Sequence, residues 1–336
     1  MFNKLKALCD INSPAGFEKT IRKYIIKEIS PYCEYSVDKI GNIIALKKGK
    51  RASLVKLMID AHMDEVGIII SNITDDGFLK FHTLGGIGAE TLLCRTVTIN
   101  DSVTGVIGLK PIHLTSGDEG KKIPEIKNLY IDIGCTTRED AEKKVNIGDS
   151  GVLDSETEMI SDTKIKAKAL DDRAGCFALI ELLKAPSEYD FYATFTVQEE
   201  LGCRGAKCAT YTVNPDAALI LETTTAADIS GVAEENKICL VGNGPAVSFM
   251  DTSTLYDRAL YTAAMNSGIK CQAKAGVTGA NNAASIHLSR SGVRTLTVSV
   301  PCRYLHSTSS ICDLRDIEGI VELSKYLINK ICSGEI

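Results

Sequence analysis

The run Phe191-Tyr-Ala-Thr-Phe-Thr-Val197 is followed, one residue later, by the acidic pair Glu199-Glu200. Its aromatic and β-branched residues predict a buried strand, and the pair then places two carboxylates at the carboxyl end of that strand. One carboxylate can bind a metal while its neighbour moves a proton. Adjacent acids are more often a solvated surface, so the pair needs support from elsewhere in the chain.

Three further strand-like segments lead into histidine or carboxylate side chains. The segments and the groups that follow them are 54–59 with His62 and Asp64, 217–221 with Glu222, and 294–300 with His306. Ligands gather at the carboxyl ends of strands in open α/β sheets. We therefore expect these side chains to converge on one site.

The pair Asp171-Asp172 adds two more carboxylates just before a helix predicted at 174–183. Histidine nitrogens and carboxylate oxygens without thiolates favour zinc, cobalt or manganese. Two cations close together need a shared anionic bridge, and Asp171 could supply it. His62 and Asp64 stand at i and i+2, on the same side of an extended chain, so Asp64 can hydrogen-bond the second ring nitrogen and fix the tautomer.

Each of these groups also has a simpler explanation. Asp171 and Asp172 could cap a helix, His62 could be a core histidine with satisfied hydrogen bonds, and Glu222 and His306 could face solvent. These simpler explanations would all have to hold at once, at four strand ends. A single two-metal hydrolytic site is the more plausible interpretation.

The chain of 336 residues is too long for one typical core, which predicts two domains or one domain with a large insertion. From 67 to about 153, short β-like runs alternate with turn clusters such as 75–77 and 116–120, which indicates an inserted β-rich module joined back by an acidic linker at 155–162. Elsewhere strands and helices alternate, which predicts an α/β sheet with helices on both faces. The other predicted elements are helices at 21–29, 138–144, 254–266 and 317–331, a hairpin at 35–46 and a strand at 237–241.

Composition disfavours several classes of protein. A net charge of −5, with no basic stripe, argues against nucleic acid as a partner. No apolar stretch approaches the roughly 20 residues of a membrane span, and no signal segment follows Met1, so we expect a cytoplasmic protein without a membrane partner. Twelve scattered cysteines indicate reduced, mostly buried thiols.

Four motifs resemble, in order, those of the glutamyl aminopeptidase / cellulase M family of co-catalytic metallo-aminopeptidases. They are Ala61-His-Met-Asp-Glu-Val-Gly67, Lys168-Ala-Leu-Asp-Asp-Arg-Ala-Gly175, Val197-Gln-Glu-Glu-Leu-Gly202 and Pro301-Cys-Arg-Tyr-Leu-His306. The resemblance covers nearly the whole chain. It implies a phosphorylase/hydrolase-like α/β catalytic domain at 1–66 and 163–336, and a PDZ-like β-barrel at 67–162 used in dimerisation. It also implies homo-oligomers in which dimers assemble into a tetrahedral dodecamer.

The resemblance further implies two divalent metal ions per subunit, with zinc expected and cobalt or manganese as alternatives. The implied ligands form two sets that share a bridging carboxylate: His62, Asp171 and Glu222, then Asp171, Glu200 and His306. Glu199 is implied as the general base, and Asp64 as the group that orients His62.

Two positions depart from the family's pattern. Glu222 stands where the family usually has aspartate, which lengthens the reach of one ligand. Ala280-Asn281-Asn282-Ala283 stands where the family usually has Gly-Thr-Asp-Ala, which removes a negative charge near the pocket.

The sequence therefore predicts a metal-dependent aminopeptidase that removes N-terminal residues from short peptides. The alternatives are hydrolysis of another amide, such as an N-acyl amino acid, and, with less support, hydrolysis of a glycoside in the manner of an endoglucanase. A scaffold with a decayed site is disfavoured, because every expected catalytic position keeps a competent side chain.

Overall fold

A computed structural model describes residues 1–114 and 122–336 of the chain. The turn cluster predicted at 116–120 lies outside the described residues. The helices are α1 (Phe2–Cys9), α2 (Lys19–Ile29), α3 (Ala89–Leu92), α4 (Arg138–Glu142), α5 (Leu170–Lys184), α6 (Arg204–Val213), α7 (Arg258–Met265), α8 (Ala283–Ile286) and α9 (Leu314–Cys332).

The strands form one large mixed sheet and one closed barrel. They are β1 (Glu34–Val37), β2 (Ile43–Lys47), β3 (Leu57–His62), β4 (Gly67–Ile73), β5 (Leu79–Leu84), β6 (Thr96–Ile99), β7 (Val103–Gly108), β8 (Tyr130–Asp132), β9 (Ser150–Leu153), β10 (Glu158–Met159), β11 (Lys164–Ala167), β12 (Phe191–Thr196), β13 (Ala217–Thr225), β14 (Ala246–Val247), β15 (Gln272–Ala273), β16 (Arg294–Arg303) and β17 (Ser310–Asp313).

The large sheet has the order β1-β2-β12-β3-β13-β16-β17-β11-β10, with β14 and β15 beside β16. Its central strands β12, β3, β13 and β16 are parallel neighbours. All six residues of β3 are buried, as expected for a parallel strand covered on both faces. Because these four strands run in one direction, their carboxyl ends lie at one edge of the sheet.

Helices cover both faces of the sheet. α1, α2 and α9 pack against α5, which contacts β3 and β13, while α6 and α8 contact each other and pack on β12, β3 and β16. α5 contributes an almost continuous buried surface, including Phe177, Leu179 and Leu183. These helices enclose the main hydrophobic core and hold the four parallel strands in register.

The strands β4-β5-β8-β7-β6-β9 close into an antiparallel barrel. The barrel has its own hydrophobic core, which includes Ile68, Phe81, Val97 and Ile131. The predicted fold class, a mixed α/β sheet with an inserted β-barrel, is confirmed. Within the segment expected to be the return linker, β10 pairs with β11 of the large sheet. The exact domain boundaries stay a prediction.

Three predicted elements differ from the structure. The strand expected at 54–59 begins three residues later, at Leu57, because Leu54 lies at the surface with 78% of its area exposed. The strand expected at 237–241 is wrong. There Leu240 is bonded through its backbone N–H and C=O to the side-chain amide of Gln272, at 2.9 and 3.0 Å, instead of to a strand.

The helix expected at 254–266 begins at Arg258, since Asp257 is its N-cap and accepts the N–H groups of Ala259 and Leu260. Helices α1 and α6 were not predicted at all. No helix in the described part of the chain is long and apolar enough to cross a bilayer. All twelve cysteines lie among the described residues, and each is a free thiol. Eight are buried, Cys33 and Cys271 are half-buried, and Cys94 and Cys208 are exposed.

Candidate functional site

The parallel strands bring the predicted side chains together. His62 is the last residue of β3, Glu222 lies within β13, Glu199-Glu200 follow the end of β12, and His306 follows the end of β16. Asp171 joins them from the first turn of α5. The sequence-based expectation that these groups converge agrees with where the structure places them.

His62 stands between two carboxylates. Its Nε2 lies 3.2 Å from Asp171 Oδ1 and 3.5 Å from Glu222 Oε1. The His62 and Glu222 side chains are almost fully buried, with 1% and 7% of their area exposed. A nitrogen and two carboxylate oxygens therefore face one small volume.

His306 stands between two carboxylates in the same way. Its Nε2 lies 3.4 Å from Asp171 Oδ2 and 3.4 Å from Glu200 Oε1. The two oxygens of Asp171 thus face two different histidines. Ligand atoms about 2.0–2.2 Å from a tetrahedral zinc ion lie roughly 3.3–3.6 Å apart, so both groups of atoms have the spacing that such an ion requires.

Asp64 connects His62 to the acidic pair. Its two carboxylate oxygens accept the backbone N–H groups of Glu199 and Glu200, at 3.0 and 3.1 Å. One of these oxygens lies 3.5 Å from His62 Nδ1, which is also 3.2 Å from the Asp64 carbonyl oxygen. Asp64 is fully buried, so it orients His62 and also positions the pair.

Sequence reasoning missed a contribution from the loop that follows β5 of the barrel. The carbonyl oxygen of Gly86 lies 2.9 Å from His306 Nδ1. A carbonyl can only accept, so Nδ1 carries the proton and Nε2 is left free to bind a cation. The adjacent Gly85 lies so close to Glu200 that an added Cβ would be 3.1 Å from the Glu200 side chain. The glycine-rich stretch Gly85-Gly86-Ile87-Gly88 is the sequence signal that could have indicated this close approach of the loop.

Asp172 was also missed as a separate member of the site. One oxygen of Asp172, together with His62 and Glu222, forms a second buried group of metal-ligating atoms within 4.8 Å of one another, beside the group of His62, Asp171 and Glu200. Its Oδ1 accepts the N–H of Gly175 at 2.9 Å, whereas its buried Oδ2 has no hydrogen-bond partner among the described residues. The sequence showed Asp172 next to Asp171 but gave no reason to separate their roles.

Left-handed backbone conformations are found beside the site. Gln198, just before the acidic pair, has φ of 54°, and His306 has φ of 56°. Such a conformation costs about 1–2 kcal/mol for a residue with a Cβ atom. The surrounding bonds hold it in place, among them the 3.1 Å bond from Gln198 N–H to Glu18 Oε1.

The concentration of buried carboxylates changes their proton affinities. Burial raises the pKa of Glu200 to about 8 and the pKa of Glu222 to about 7. Burial also raises the pKa of Glu199 well above its usual range. For Asp171 burial acts in the same direction, but His306 and His62 outweigh it and hold its pKa below the usual range. Near neutral pH the site therefore needs protons or cations, and its oxygen and nitrogen donors fit divalent metal ions.

A cavity of about 380 Å³ opens onto these groups. Its lining includes Glu199, together with His62, Asp171, Glu222 and His306. Glu200 has only 5% of its side chain exposed. A larger groove of about 770 Å³, between Asp38 and Arg290, contains none of the candidate site residues.

Comparison with known proteins identifies the class. The chain is 35% identical over 99% of its length to a putative aminopeptidase of Acetivibrio thermocellus, covering 98% of that protein. It is 31% identical to the lysyl aminopeptidase of Pyrococcus furiosus (91% of this chain, 89% of that protein). It is also 31% identical to the glutamyl aminopeptidase of Lactococcus lactis subsp. cremoris (94% and 92%).

Solved structures agree with this class. The TET aminopeptidase of a marine-sediment Thaumarchaeota archaeon superposes with a TM-score of 0.93 at 33% identity, over 98% of this chain and 96% of that one. The TET1 peptidase of Pyrococcus horikoshii, which can assemble into a tetrahedron or a large octahedral shell, superposes with a TM-score of 0.84 at 33% identity, over 97% and 98%.

The profile of the M42 glutamyl aminopeptidase family matches residues 41–323. The chain belongs to that family, and it is therefore an enzyme of the aminopeptidase class, a hydrolase of peptide bonds. The resemblance stated from the four sequence motifs is confirmed.

The pKa shifts predict a pH-dependent stability for the metal-free protein. Glu200 and Glu222 have folded pKa values above the ordinary 4.5, so they favour the folded state below about pH 4.5, and this contribution is lost as pH rises through about 7 to 8. His306, whose pKa its bond to Asp171 raises to about 10, acts in the same direction. We expect the free energy of unfolding in chelator to fall between about pH 5.5 and pH 8.5.

Urea unfolding at a series of pH values, with chelator and with saturating zinc, measures this effect. Zinc should remove most of the loss because the cation replaces the bound protons. Equal stability of the chelated protein at both ends of the pH range would contradict the prediction.

Proposed function

We propose that this chain is an aminopeptidase that uses two divalent metal ions to hydrolyse the first peptide bond of short peptides. The observation that carries the proposal is the position of Asp171, whose two carboxylate oxygens face His62 and His306 separately. A single carboxylate with this arrangement can serve two cations at once. When bound, the cations would lower the pKa of a water molecule and polarise the scissile carbonyl.

The proposed ligands fall into two sets that share Asp171. His62 and Glu222 complete one set, and Glu200 and His306 complete the other. Glu222 reaches His62 at 3.5 Å, which supports glutamate as a competent ligand where the family usually has aspartate. Zinc is the proposed metal, with cobalt or manganese as alternatives, because the donors are nitrogen and oxygen only.

Glu199 and Glu200 differ in their surroundings, and this difference supports different roles. The carboxylate of Glu200 faces His306, as a ligand should. The carboxylate of Glu199 lines the cavity and accepts the thiol of Cys203 at 3.5 Å. Burial raises the pKa of Glu199, so its carboxylate binds a proton more strongly than an exposed one, as a general base should. We assign Glu199 as the general base that takes a proton from the attacking water and passes it to the leaving amine.

Asp64 and Gly86 position these groups without touching the substrate. Asp64 holds the backbone of the acidic pair and faces His62 Nδ1, and Gly86 fixes the tautomer of His306. With both rings oriented by the protein, each Nε2 points toward Asp171 before any cation binds.

We also propose homo-oligomeric assembly, in which the barrel within 67–162 forms the dimer contact and dimers build a dodecamer. The division into a catalytic domain at 1–66 and 163–336 and an inserted domain at 67–162 is part of this proposal. It is supported by the separate hydrophobic core of the barrel, and by the tetrahedral assembly of the similar TET1 peptidase.

Replacing Asp171 by asparagine tests the shared ligand. An amide nitrogen cannot bind a metal as a carboxylate oxygen does, so Asp171→Asn should reduce the bound metal from two ions per chain to one or fewer. Elemental analysis after gel filtration measures the ratio. Asp140→Asn, at an exposed position in α4, is the matched control and should keep both ions. Two ions retained in Asp171→Asn would rule out the bridging role.

Replacing Glu199 by glutamine tests the general base. Removing such a group typically costs about 10²–10⁴ in rate, so Glu199→Gln should lower kcat by about that factor while both metal ions remain. Release of the first amino acid from a tripeptide is the assay, and chelator should abolish it in the unaltered enzyme. Glu318→Gln, at an exposed position in α9, should keep full activity.

Full activity in Glu199→Gln would remove Glu199 from the mechanism. Cleavage of peptides with a blocked N-terminus only would favour the N-acyl amino acid alternative. Glycoside cleavage that survives chelation would favour a metal-independent acid and base pair.

The assembly proposal predicts the particle mass. A dodecamer of the 36.2 kDa chain has a mass of about 430 kDa. Light scattering coupled to gel filtration measures it directly. A mass near one subunit would contradict assembly, and a mass near two would limit it to the dimer.

A further inference from the structure

A buried thiol lies between the proposed general base and the wall of the cavity. The Sγ atom of Cys203 is 3.5 Å from Glu199 Oε1 and 3.4 Å from the carbonyl oxygen of Asn281. Only 8% of Cys203 is exposed, whereas Glu199 and Asn281 both line the cavity. The thiol is therefore shielded from solvent and faces two oxygen acceptors that belong to the site.

A tight backbone turn holds the thiol against Glu199. The carbonyl oxygen of Glu199 accepts the N–H groups of Gly202 and Cys203, at 2.8 and 2.9 Å. Cys203 has a left-handed conformation, with φ of 55°, and is the N-cap residue of α6. Since Asp64 fixes the N–H of Glu199 at the start of this turn, the base and the thiol keep one relative position.

The second acceptor is fixed just as firmly. The side chain of Asn281 donates to the Tyr256 hydroxyl at 3.1 Å, and it accepts the N–H of Ala283 at 2.8 Å and the hydroxyl of Thr297 at 3.3 Å. The Tyr256 hydroxyl in turn donates to Asp251 at 2.5 Å. This buried network holds the backbone of Asn281 in place, so its carbonyl stays beside the thiol.

The thiol has one proton to share between these two acceptors. Burial raises the pKa of Cys203 above its usual range, so near neutral pH the group stays protonated and can donate. An ionised carboxylate is a stronger acceptor than a carbonyl. Once Glu199 has taken a proton from water, that advantage is lost, and rotation about the Cβ–Sγ bond turns the S–H toward Asn281.

We propose that Cys203 is a positioning residue for the general base. Its thiol donates to Glu199 while that carboxylate is charged, and turns to the Asn281 carbonyl while Glu199 holds the proton. The thiol keeps its own proton throughout, so no bond is broken. The charged base is thus held in place for the water, and the neutral one is released to protonate the leaving amine. The proposal rests on the proposed aminopeptidase function.

The kinetic test removes the donor from the metal-loaded enzyme. A hydrogen bond of ordinary strength is worth about two- to tenfold in a rate, so Cys203→Ala should lower kcat for a tripeptide by about that factor. KM and the two bound metal ions should stay as they are, because the base acts only in the chemical step. Cys203→Ser, which restores a donor, should recover most of the loss. Cys208→Ala removes an exposed thiol from the same helix and should keep full activity.

Infrared spectroscopy observes the thiol itself. The S–H stretch absorbs away from the amide bands, and the difference between the unaltered enzyme and Cys203→Ala isolates the band of this one thiol. Glu199→Gln has a side chain that is always neutral, so the S–H bond should be less weakened and the band should move to higher frequency. The same subtraction with Cys203→Ser serves if Cys203→Ala does not fold.

Each outcome decides a separate point. An unchanged kcat in Cys203→Ala, or an equal loss in Cys203→Ala and Cys203→Ser, overturns the donor role. A band at the same frequency in Glu199→Gln shows that the thiol does not respond to the charge of the base, and overturns the rotation. If the unaltered enzyme cleaves no peptide, the proposed function fails, while the band still reports whether Cys203 donates to Glu199.

Discussion

The bonds from the buried carboxylate of Asp64 to the backbone of Glu199 and Glu200 determine how the acidic pair is presented. With both N–H groups held by one side chain, the chain after β12 has a fixed direction, and the two glutamate side chains diverge. One then faces His306, and the other faces the cavity. The fixed backbone thus allows two chemically identical residues to take the different roles proposed for them.

The second constraint is charge. Parallel strands that end at one edge concentrate carboxylates there, and burial makes each ionised carboxylate costly. The histidines offset part of this cost through Asp171, whose oxygens they share. Bound cations would offset the remaining cost. The same arrangement of carboxylates is therefore unfavourable in a metal-free chain and favourable in one that binds metals.

Sequence could predict the parts of the site that depend on strand direction. His62, Glu222 and His306 were found because each follows or ends an apolar run, and runs of this kind pair in parallel. Sequence could not supply what depends on contacts between distant loops, such as the Gly86 carbonyl at His306. The strand predicted around Leu240 was wrong because the side-chain amide of Gln272 takes the place of a partner strand there. Apolar periodicity does not reveal which backbone groups already have a hydrogen-bond partner.

The bond between His306 and Gly86 joins the barrel to the centre of the large sheet. An inserted domain is often regarded as a separate unit whose sequence can change without affecting the chemistry of the domain that carries it. Here the loop after β5 supplies a hydrogen-bond acceptor to a candidate metal ligand, so the sequences of the two parts are expected to change together. A barrel from a relative could be exchanged into this chain only if its own loop brought a carbonyl to the same ring nitrogen.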